Sequence, residues 1–159
     1  MDLIAAVDQN WAIGRDGDQL CYTLADLKPF QALTTGHAVL LGRKTLTTFP
    51  GGRPLKNRRN LILSRDPGFA PEGAEVFRDV DSLLSAAPAD AFVIGGESVY
   101  RALLPHCDRA FITKLDKAWP ADAFFPDLDA DPNWAVTEEG ERQEHEGISF
   151  RYVTYERVK

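Results

Sequence analysis

The sequence predicts an α/β fold of three layers, α/β/α, in which a central, mostly parallel sheet lies between helices. Short apolar runs at residues 38–41 and 91–94 are typical of strands that are buried on both faces. Each of these runs leads through glycine into a helical pattern, which is one half of a βαβ unit. Residues 134–137 and 149–155 alternate between apolar and polar side chains and predict an antiparallel pair at the C-terminal edge.

The other elements follow from local patterns along the chain. The predicted strands cover residues 3–7, 38–41, 60–64, 75–77, 91–94, 110–113, 134–137 and 149–155. The predicted helices cover residues 23–33, a short segment from Arg43, residues 81–87 and residues 98–104. Pro29 lies inside the first helix and removes one backbone hydrogen bond there. Residues 8–19 and 50–54 contain glycines and are predicted to be loops.

Size and composition indicate a single globular domain over residues 1–159. The amino terminus lacks the basic segment of a signal peptide, and no apolar run approaches the roughly 20 residues of a membrane span. The two cysteines and three histidines lack metal-ligand spacing, so we expect no metal site and a reducing, cytoplasmic environment. The net charge of −6 argues against nucleic-acid binding.

Basic residues are concentrated in one part of this acidic chain. Residues 28–65 contain eight Lys or Arg residues and no Asp or Glu. An acidic protein with one basic segment is suited to hold a small polyanion at that place. A chance distribution is the weaker interpretation, because the chain contains 24 acidic residues in all.

Two strand ends within this basic segment predict a phosphate site. Arg43 and Lys44 follow Gly42 directly, where cations are unfavourable to the start of a helix unless an anion lies there. Ser64 and Arg65 end the next predicted strand. Because adjacent parallel strands end at the same edge of a sheet, we expect these four side chains to form a pocket for a terminal phosphate.

Two further features each have two interpretations. The Gly95-Gly96 turn is either a tight strand-to-helix turn or a place where a ligand contacts backbone. Asp26 either caps a helix through the pattern Thr23-x-x-Asp26 or faces a cleft, where a carboxylate suits a heterocycle with paired N–H donors. Taken alone, each feature favours its structural interpretation, the tight turn and the helix cap.

Several short motifs occur together in a specific order. They are Ile13-Gly14, Asp26-Leu27-x-x-Phe30, Gly42-Arg43-Lys44-Thr45, Gly52-Arg53-Pro54-Leu55, Arg58-x-Asn60, Leu63-Ser64-Arg65, Ile94-Gly95-Gly96-x-x-Val99-Tyr100, Thr113 and Phe125-Pro126. In this order and spacing they closely resemble the bacterial dihydrofolate reductases over nearly the whole chain. Each motif alone is weak, whereas their joint spacing is specific.

The resemblance implies an eight-stranded sheet that is parallel except for its C-terminal strand, with about four flanking helices. It also implies an enzyme that reduces 7,8-dihydrofolate to tetrahydrofolate, with hydride from NADPH going to C6 of the pterin and a proton to N5. Such an enzyme supports one-carbon metabolism and thymidylate synthesis. Dihydrofolate and antifolate small molecules are the implied ligands, and the implied oligomeric state is a monomer.

The resemblance also implies a role for each matching residue. Asp26 bonds the pterin's 2-amino group and a ring nitrogen, with Thr113 behind it and Tyr100 near the nicotinamide; these three form the implied catalytic set. Water carries the proton to N5. The implied substrate residues are Ile4, Ala6, Leu27, Phe30, Leu55, Ile94, Thr113 and Arg58, the last of which binds the α-carboxylate of the glutamate tail. The implied cofactor residues are Ala6, Ile13, Gly14, Gly42, Arg43, Lys44, Thr45, Leu63, Ser64, Arg65, Gly95, Gly96, Glu97, Ser98, Val99 and Tyr100, with a cis peptide between Gly95 and Gly96.

The chain departs from the family pattern at three places. Leu20-Cys21 stands where a Pro-Trp pair is usual, in the loop before the acidic helix. Glu97 stands where a third glycine is common and brings a negative charge towards the pyrophosphate of the cofactor. Residues 50–52 include one extra residue.

Two alternatives share this fold or its ligands. The pyrimidine reductases of riboflavin synthesis look similar and use NADPH, but they lack the acidic-helix pattern and an arginine at the place of Arg58. A catalytically silent NADPH- or folate-binding protein is the second alternative, and the missing Pro-Trp pair favours it.

Overall fold

The computed structural model describes residues 1–19 and 28–158, which contain twelve strands and four α-helices. The strands are β1 Asp2–Val7, β2 Ala12–Arg15, β3 Asp18–Gln19, β4 Ala38–Gly42, β5 Arg59–Leu63, β6 Ala74–Phe77, β7 Phe92–Gly95, β8 Arg109–Leu115, β9 Ala123–Phe124, β10 Trp134–Glu139, β11 Gln143–His145 and β12 Ile148–Arg157. The helices are α1 Lys28–Thr34, α2 Arg43–Leu46, α3 Val80–Ala86 and α4 Glu97–Leu103, and short 3-10 helices lie at Pro50–Gly52 and Leu104–His106.

The main sheet has the strand order β10-β12-β8-β1-β7-β4-β5-β6. The strands from β8 to β6 pair in parallel, whereas β12 runs antiparallel to both β8 and β10. The predicted eight-stranded, mostly parallel sheet with an antiparallel C-terminal strand is therefore confirmed. The short β11 pairs with the start of β12 and was not predicted.

Both faces of the sheet are buried, which explains the uninterrupted apolar runs in the sequence. In β1, Leu3 and Val7 belong to the core on one face and Ile4 belongs to the core on the other face. The first core also contains Leu83 of α3 and Leu103 of α4. The second contains residues of α1 and α2, so the helices form a layer on each side of the sheet.

The prediction that residues 8–19 form a loop is wrong in part, because this segment contains β2 and β3. Together with β9 they form a separate three-stranded sheet in the order β3-β2-β9. The buried carboxylate of Asp8 fixes the turn before β2 by accepting backbone N–H bonds from Asn10 at 2.8 Å and Ala12 at 2.9 Å. These strands are too short to show a period of their own, and β9 lies far away in the sequence.

The helices agree with their predicted positions to within one residue wherever the structure describes them. The predicted start of the first helix at Thr23 lies outside the described residues, and α1 ends at Thr34. Helix α3 is one residue displaced from its prediction, because Asp79 caps it by accepting a 2.8 Å bond from the backbone N–H of Ser82. Within the described ranges, no helix is long and apolar enough to cross a membrane.

Candidate active site

The residues singled out in the sequence lie mainly where neighbouring parallel strands of the main sheet end. Gly42 at the end of β4 pairs with Leu63 at the end of β5, and Gly95 at the end of β7 pairs with Leu41 of β4. On the other side of β7, Ala6 of β1 pairs with Thr113 of β8. The carboxyl edge of an open α/β sheet is the usual place for a ligand.

The residues of the predicted cationic pocket lie at the ends of β4 and β5. Arg43, Lys44 and Arg65 are exposed, whereas the side chain of Ser64 is buried. Asp66 connects the two strand ends: its carboxylate Oδ2 lies 3.2 Å from Nη1 of Arg43, and its backbone N–H donates to the hydroxyl of Ser64 at 3.2 Å. These three cations are therefore accessible to solvent or to an anion. Arg43 differs from the other two in that it already forms an ion pair with Asp66.

The Gly95-Gly96 turn connects β7 to α4 through a cis peptide bond, as the resemblance to the family implied. Gly95 has a φ of 127°, in a region that favours glycine. A Cβ atom on Gly95 would lie 3.3 Å from Oγ1 of Thr45 and 3.5 Å from the ring of Tyr100. Thr45 and Tyr100 thus pack closely against this turn, in which Gly95 is buried and Gly96 is partly exposed.

Tyr100 links helix α4 to the central strand. Its hydroxyl donates a 2.7 Å hydrogen bond to the backbone carbonyl of Ile4, and its ring packs against Phe125 at a centroid distance of 4.6 Å. Complete burial raises the pKa of Tyr100 far above its ordinary value. The phenol therefore stays protonated at neutral pH and acts as a hydrogen-bond donor.

An apolar cluster lies on the other face of the same strand ends. Ile4, Phe30 and Ile94 are buried in it, and Ala6 and Leu55 pack against it while partly exposed. Thr113 is buried beside this cluster through its pairing with Ala6. The structure thus brings together the predicted substrate residues that it describes. Asp26 and Leu27 lie outside the described residues.

Arg58 lies at the edge of this cluster, with its guanidinium carbon 5.6 Å from the centre of the Phe30 ring. Its Nε donates to the hydroxyl of Thr34 at 3.0 Å, and its Nη2 donates to the hydroxyl of Thr35 at 3.2 Å and to the side-chain carbonyl of Gln31. Partial burial lowers the pKa of Arg58, which nevertheless stays charged because a guanidinium does not lose its proton in proteins.

The small sheet borders the other side of the Gly95-Gly96 turn. In β2, Ile13 is half-buried and Gly14 is buried. The backbone N–H of Asp122 donates to the carbonyl of Gly14 at 3.1 Å, and the carboxylate of Asp122 accepts from the N–H of Asp16 at 3.0 Å. Ile13 and Gly14 are therefore fixed by a segment that follows β8.

Some contacts of the site were missed in the sequence. Asp66 beside Arg43, and Thr34 and Thr35 beside Arg58, were not singled out. The only signals in the sequence for these contacts are the two hydroxyl residues Thr34 and Thr35 at the end of the helix and the acid Asp66 directly after Arg65. In the part of the chain that the structure describes, no cluster of three or more His, Cys, Asp or Glu side chains could hold a metal ion.

Comparison with known proteins agrees with this geometry. A family model described as dihydrofolate reductase matches residues 1–157. Dihydrofolate reductase of Bacillus subtilis is 33% identical over 161 residues, covering 99% of this chain and 94% of that protein. Dihydrofolate reductase HdrB of Haloferax volcanii is 38% identical, covering 98% of this chain and 82% of that protein.

A solved structure is also similar. Dihydrofolate reductase from Enterococcus faecalis, complexed with NADP(H) and RAB-propyl, superposes with a TM-score of 0.87 at 31% identity, covering 99% of this chain and 96% of that one. A family match over nearly the whole length, together with this fold and the cationic and apolar halves of its site, shows that the chain belongs to the dihydrofolate reductase family.

Proposed function

We propose that this chain uses the residues at the carboxyl edge of its sheet to carry out the reaction of its family, the NADPH-dependent reduction of 7,8-dihydrofolate to tetrahydrofolate. The observation that carries this proposal is that exposed cations and an apolar cluster lie at the ends of the same group of parallel strands. Cations at the ends of β4 and β5 suit a phosphorylated cofactor, and the apolar cluster around Ile4, Phe30 and Ile94 suits a flat heterocycle.

The residues present fit NADPH. Arg43, Lys44 and Arg65 supply exposed positive charge beside the hydroxyl of Ser64, which suits the 2′-phosphate that distinguishes NADPH from NADH. Gly96 is partly exposed and has no side chain, so a ligand can contact its backbone. When bound, NADPH supplies the hydride for C6 of the pterin. Gly42, Thr45, Leu63, Ser98 and Val99 complete the proposed cofactor set around these strand ends.

The substrate half of the site orients the pterin and the tail separately. Ile4, Ala6, Phe30, Leu55 and Ile94 form the proposed apolar wall for the pterin and its aromatic extension. Arg58 offers its guanidinium to the tail carboxylate from the rim of this wall. Asp26 and Leu27 complete the set from sequence, with Asp26 as the acceptor for the paired N–H donors of the pterin.

In this proposal water delivers the proton to N5 of the pterin. Asp26 favours protonation of the pterin because its negative charge lies next to the ring. Tyr100 does not supply it, because burial raises the pKa of this phenol and its proton is already donated to the carbonyl of Ile4. Thr113 contributes a buried hydroxyl beside Ala6. The proposed partners of the protein are dihydrofolate and antifolates, and neither nucleic acid nor a membrane is among them. We propose that residues 1–159 form a single reductase domain, which acts as a monomer in the cytoplasm.

The test is steady-state oxidation of NADPH with and without dihydrofolate, for the wild type, Asp26→Asn and the matched control Asp108→Asn. Asp108 is an exposed acid directly before β8, at the edge of the sheet opposite the carboxyl strand ends. We expect dihydrofolate-dependent oxidation that falls by about a hundredfold or more in Asp26→Asn at neutral pH, with partial recovery in acid and NADPH binding intact. The control keeps wild-type turnover.

Other outcomes contradict the proposal in distinct ways. Reduction of a ribosylaminopyrimidine but not of dihydrofolate would assign the chain to the pyrimidine reductases. Tight NADPH binding without oxidation would make it a silent binder. Wild-type turnover in Asp26→Asn would leave Asp26 only the role of a helix cap.

A further inference from the structure

The side chain of Glu97 makes contacts that its place at the start of α4 does not explain. One carboxylate oxygen, Oε1, accepts a 2.8 Å hydrogen bond from the backbone N–H of Phe124 in β9. The other, Oε2, lies 3.2 Å from Nε of Arg101, one turn along the same helix. Both oxygens are thus engaged by the protein, and the first contact joins segments that are 27 residues apart in the sequence.

Strand β9 is an edge strand, since the small sheet has the order β3-β2-β9. The N–H groups of Asp122 and Phe125 donate to carbonyls of Gly14 and Trp11, on the β2 side. Successive N–H groups of a strand point to opposite sides, so the N–H of Phe124 points away from β2. Glu97 therefore occupies the place that a further strand would take and satisfies an edge donor.

This contact fixes two segments that flank the same region. Glu97 directly follows Gly95 and Gly96, the turn against which Thr45 packs closely. Strand β9 holds β2, with Ala12 opposite Phe124 and Gly14 opposite Ala123, and β2 carries Ile13 and Gly14. Without Glu97, the hydrogen bonds between β2 and β9 remain, but the described structure gives no other bond from the N–H of Phe124 to α4.

We propose that Glu97 is a positioning residue for the nicotinamide end of the cofactor. Its carboxylate holds β9, and through β9 the segment Ile13-Gly14, at a set distance from the Gly95-Gly96 turn. This inference rests on the proposed function, because it takes these two segments as the walls of the nicotinamide site. The ion pair with Arg101 orients the carboxylate and is exposed, so that it contributes little by itself.

The acceptor role and the negative charge of Glu97 have opposite effects on an anionic cofactor. A carboxylate close to a pyrophosphate repels it, whereas a hydrogen-bond acceptor that orders the wall favours binding. Glu97→Gln keeps an amide oxygen that accepts from the N–H of Phe124 and removes the charge. Glu97→Ala removes both, so the pair of variants separates the two effects.

The first measurement is the dissociation constant of NADPH, by quenching of tryptophan fluorescence, together with kcat and the KM for NADPH. We expect Glu97→Ala to weaken NADPH binding and to raise its KM by about tenfold, the lower end of what a hydrogen bond to a charged group contributes. In Glu97→Gln, the dissociation constant of NADPH should lie within about twofold of the wild-type value or below it. Glu144→Gln, an exposed acid of β11, is the matched control for lost charge.

The second measurement does not depend on activity. Amide hydrogen exchange of Phe124, followed by NMR without ligands, should be faster in Glu97→Ala than in the wild type, by about tenfold, and restored in Glu97→Gln. It tests the contact even if the chain reduces no dihydrofolate. A wild type without turnover would instead contradict the proposed function.

Three results would overturn the inference. Unchanged exchange at Phe124 in Glu97→Ala would show that the contact does not order β9. Equal losses of NADPH affinity in Glu97→Ala and Glu97→Gln would show that charge, and not the acceptor, matters. Tighter NADPH binding in Glu97→Ala would show that Glu97 only repels the cofactor.

Discussion

The hydroxyl of Thr34 at the end of α1 accepts a 3.0 Å hydrogen bond from Nε of Arg58 while donating its own proton to the carbonyl of Phe30 at 2.7 Å. Thr34 is completely buried, so this hydroxyl has a fixed position and direction. It holds the guanidinium of Arg58 at the rim of the apolar cluster. The basic residue proposed for the tail carboxylate is thereby oriented before any substrate binds.

Arg58→Lys should raise the KM for dihydrofolate by about ten- to a hundredfold. A lysine keeps the charge but loses both the paired N–H donors and the bond to Thr34, and hydrogen bonds to charged groups contribute about 1.5–3 kcal/mol each. The KM for NADPH should not change, because Arg58 precedes β5, whereas Arg43 and Arg65 follow the carboxyl ends of β4 and β5, at the opposite edge of the sheet. Steady-state kinetics with each substrate varied in turn measures both values.

The neighbouring arginine provides the control for this prediction. Arg59 pairs with Glu75 across β5 and β6, with Nε 2.6 Å from Oε2, and Arg59→Lys should leave both KM values unchanged. A dihydropterin without a glutamate tail should be used equally by Arg58→Lys and the wild type. If its KM rises as much as that of dihydrofolate, Arg58 shapes the pocket and does not bind the tail.

Asp66→Asn should tighten NADPH binding by about two- to fivefold and leave NADH binding unchanged. The carboxylate of Asp66 lies 3.2 Å from Nη1 of Arg43, and it competes with the proposed 2′-phosphate for that cation. Both side chains are nearly half exposed, and exposed ion pairs contribute at most about 1 kcal/mol, which limits the effect. Fluorescence titration with the two cofactors gives the dissociation constants.

An ionic-strength series and the control variant Asp90→Asn distinguish this local effect on NADPH binding from a general change in net charge. The gain should shrink as ionic strength rises, because screening weakens interactions between exposed charges. Asp90→Asn removes an acid that pairs with His37, 3.1 Å away, just before β7 and thus at the opposite edge of the sheet. An equal gain in Asp90→Asn, or an equal gain for NADH, would remove Asp66 from the determinants of cofactor choice.

The sequence predicted the main sheet and the cationic strand ends from local patterns, whereas the apolar half of the site came only from the resemblance to a family. Strands buried on both faces leave continuous apolar runs such as residues 38–41, and parallel pairing then places Gly42 beside Leu63 without further information. Arg43 and Ser64 could therefore be placed together from sequence. The cis peptide at Gly95 was available only through the resemblance to a family.

The contacts that hold these residues in place could not be predicted in the same way. Strand β9 has two residues, and its pairing of Phe124 with Ala12 depends on how the chain returns after β8. The carboxylate of Glu97 could equally have faced solvent or the cofactor, and only the position of β9 decides that it binds the N–H of Phe124. The roles of individual site residues, Asp26 above all, stay predictions until they are tested in solution.

The stability of the folded chain should fall in alkali through Cys107, which is buried beneath α4. Burial, followed by smaller effects of nearby charges, raises the pKa of this thiol from 9.0 to about 12. Below pH 9 the thiol is protonated in both states and adds no pH dependence. Above pH 9 the unfolded chain releases this proton and the folded chain does not, so the free energy of unfolding falls as pH rises, until about pH 12.

Urea unfolding at pH 8 and pH 10 measures this effect in the wild type, Cys107→Ala and Leu103→Ala. One pH unit above the thiol's unfolded pKa corresponds to about 1.4 kcal/mol, so the wild type should lose about that much more than Cys107→Ala between the two pH values. Leu103 is fully buried in the same core, and Leu103→Ala should be less stable at both pH values but keep the wild-type pH dependence. Because the tyrosines are unchanged in all three proteins, their ionisation cancels in the comparison. Equal losses in the wild type and Cys107→Ala would mean that the thiol ionises as readily in the folded chain as in the unfolded one.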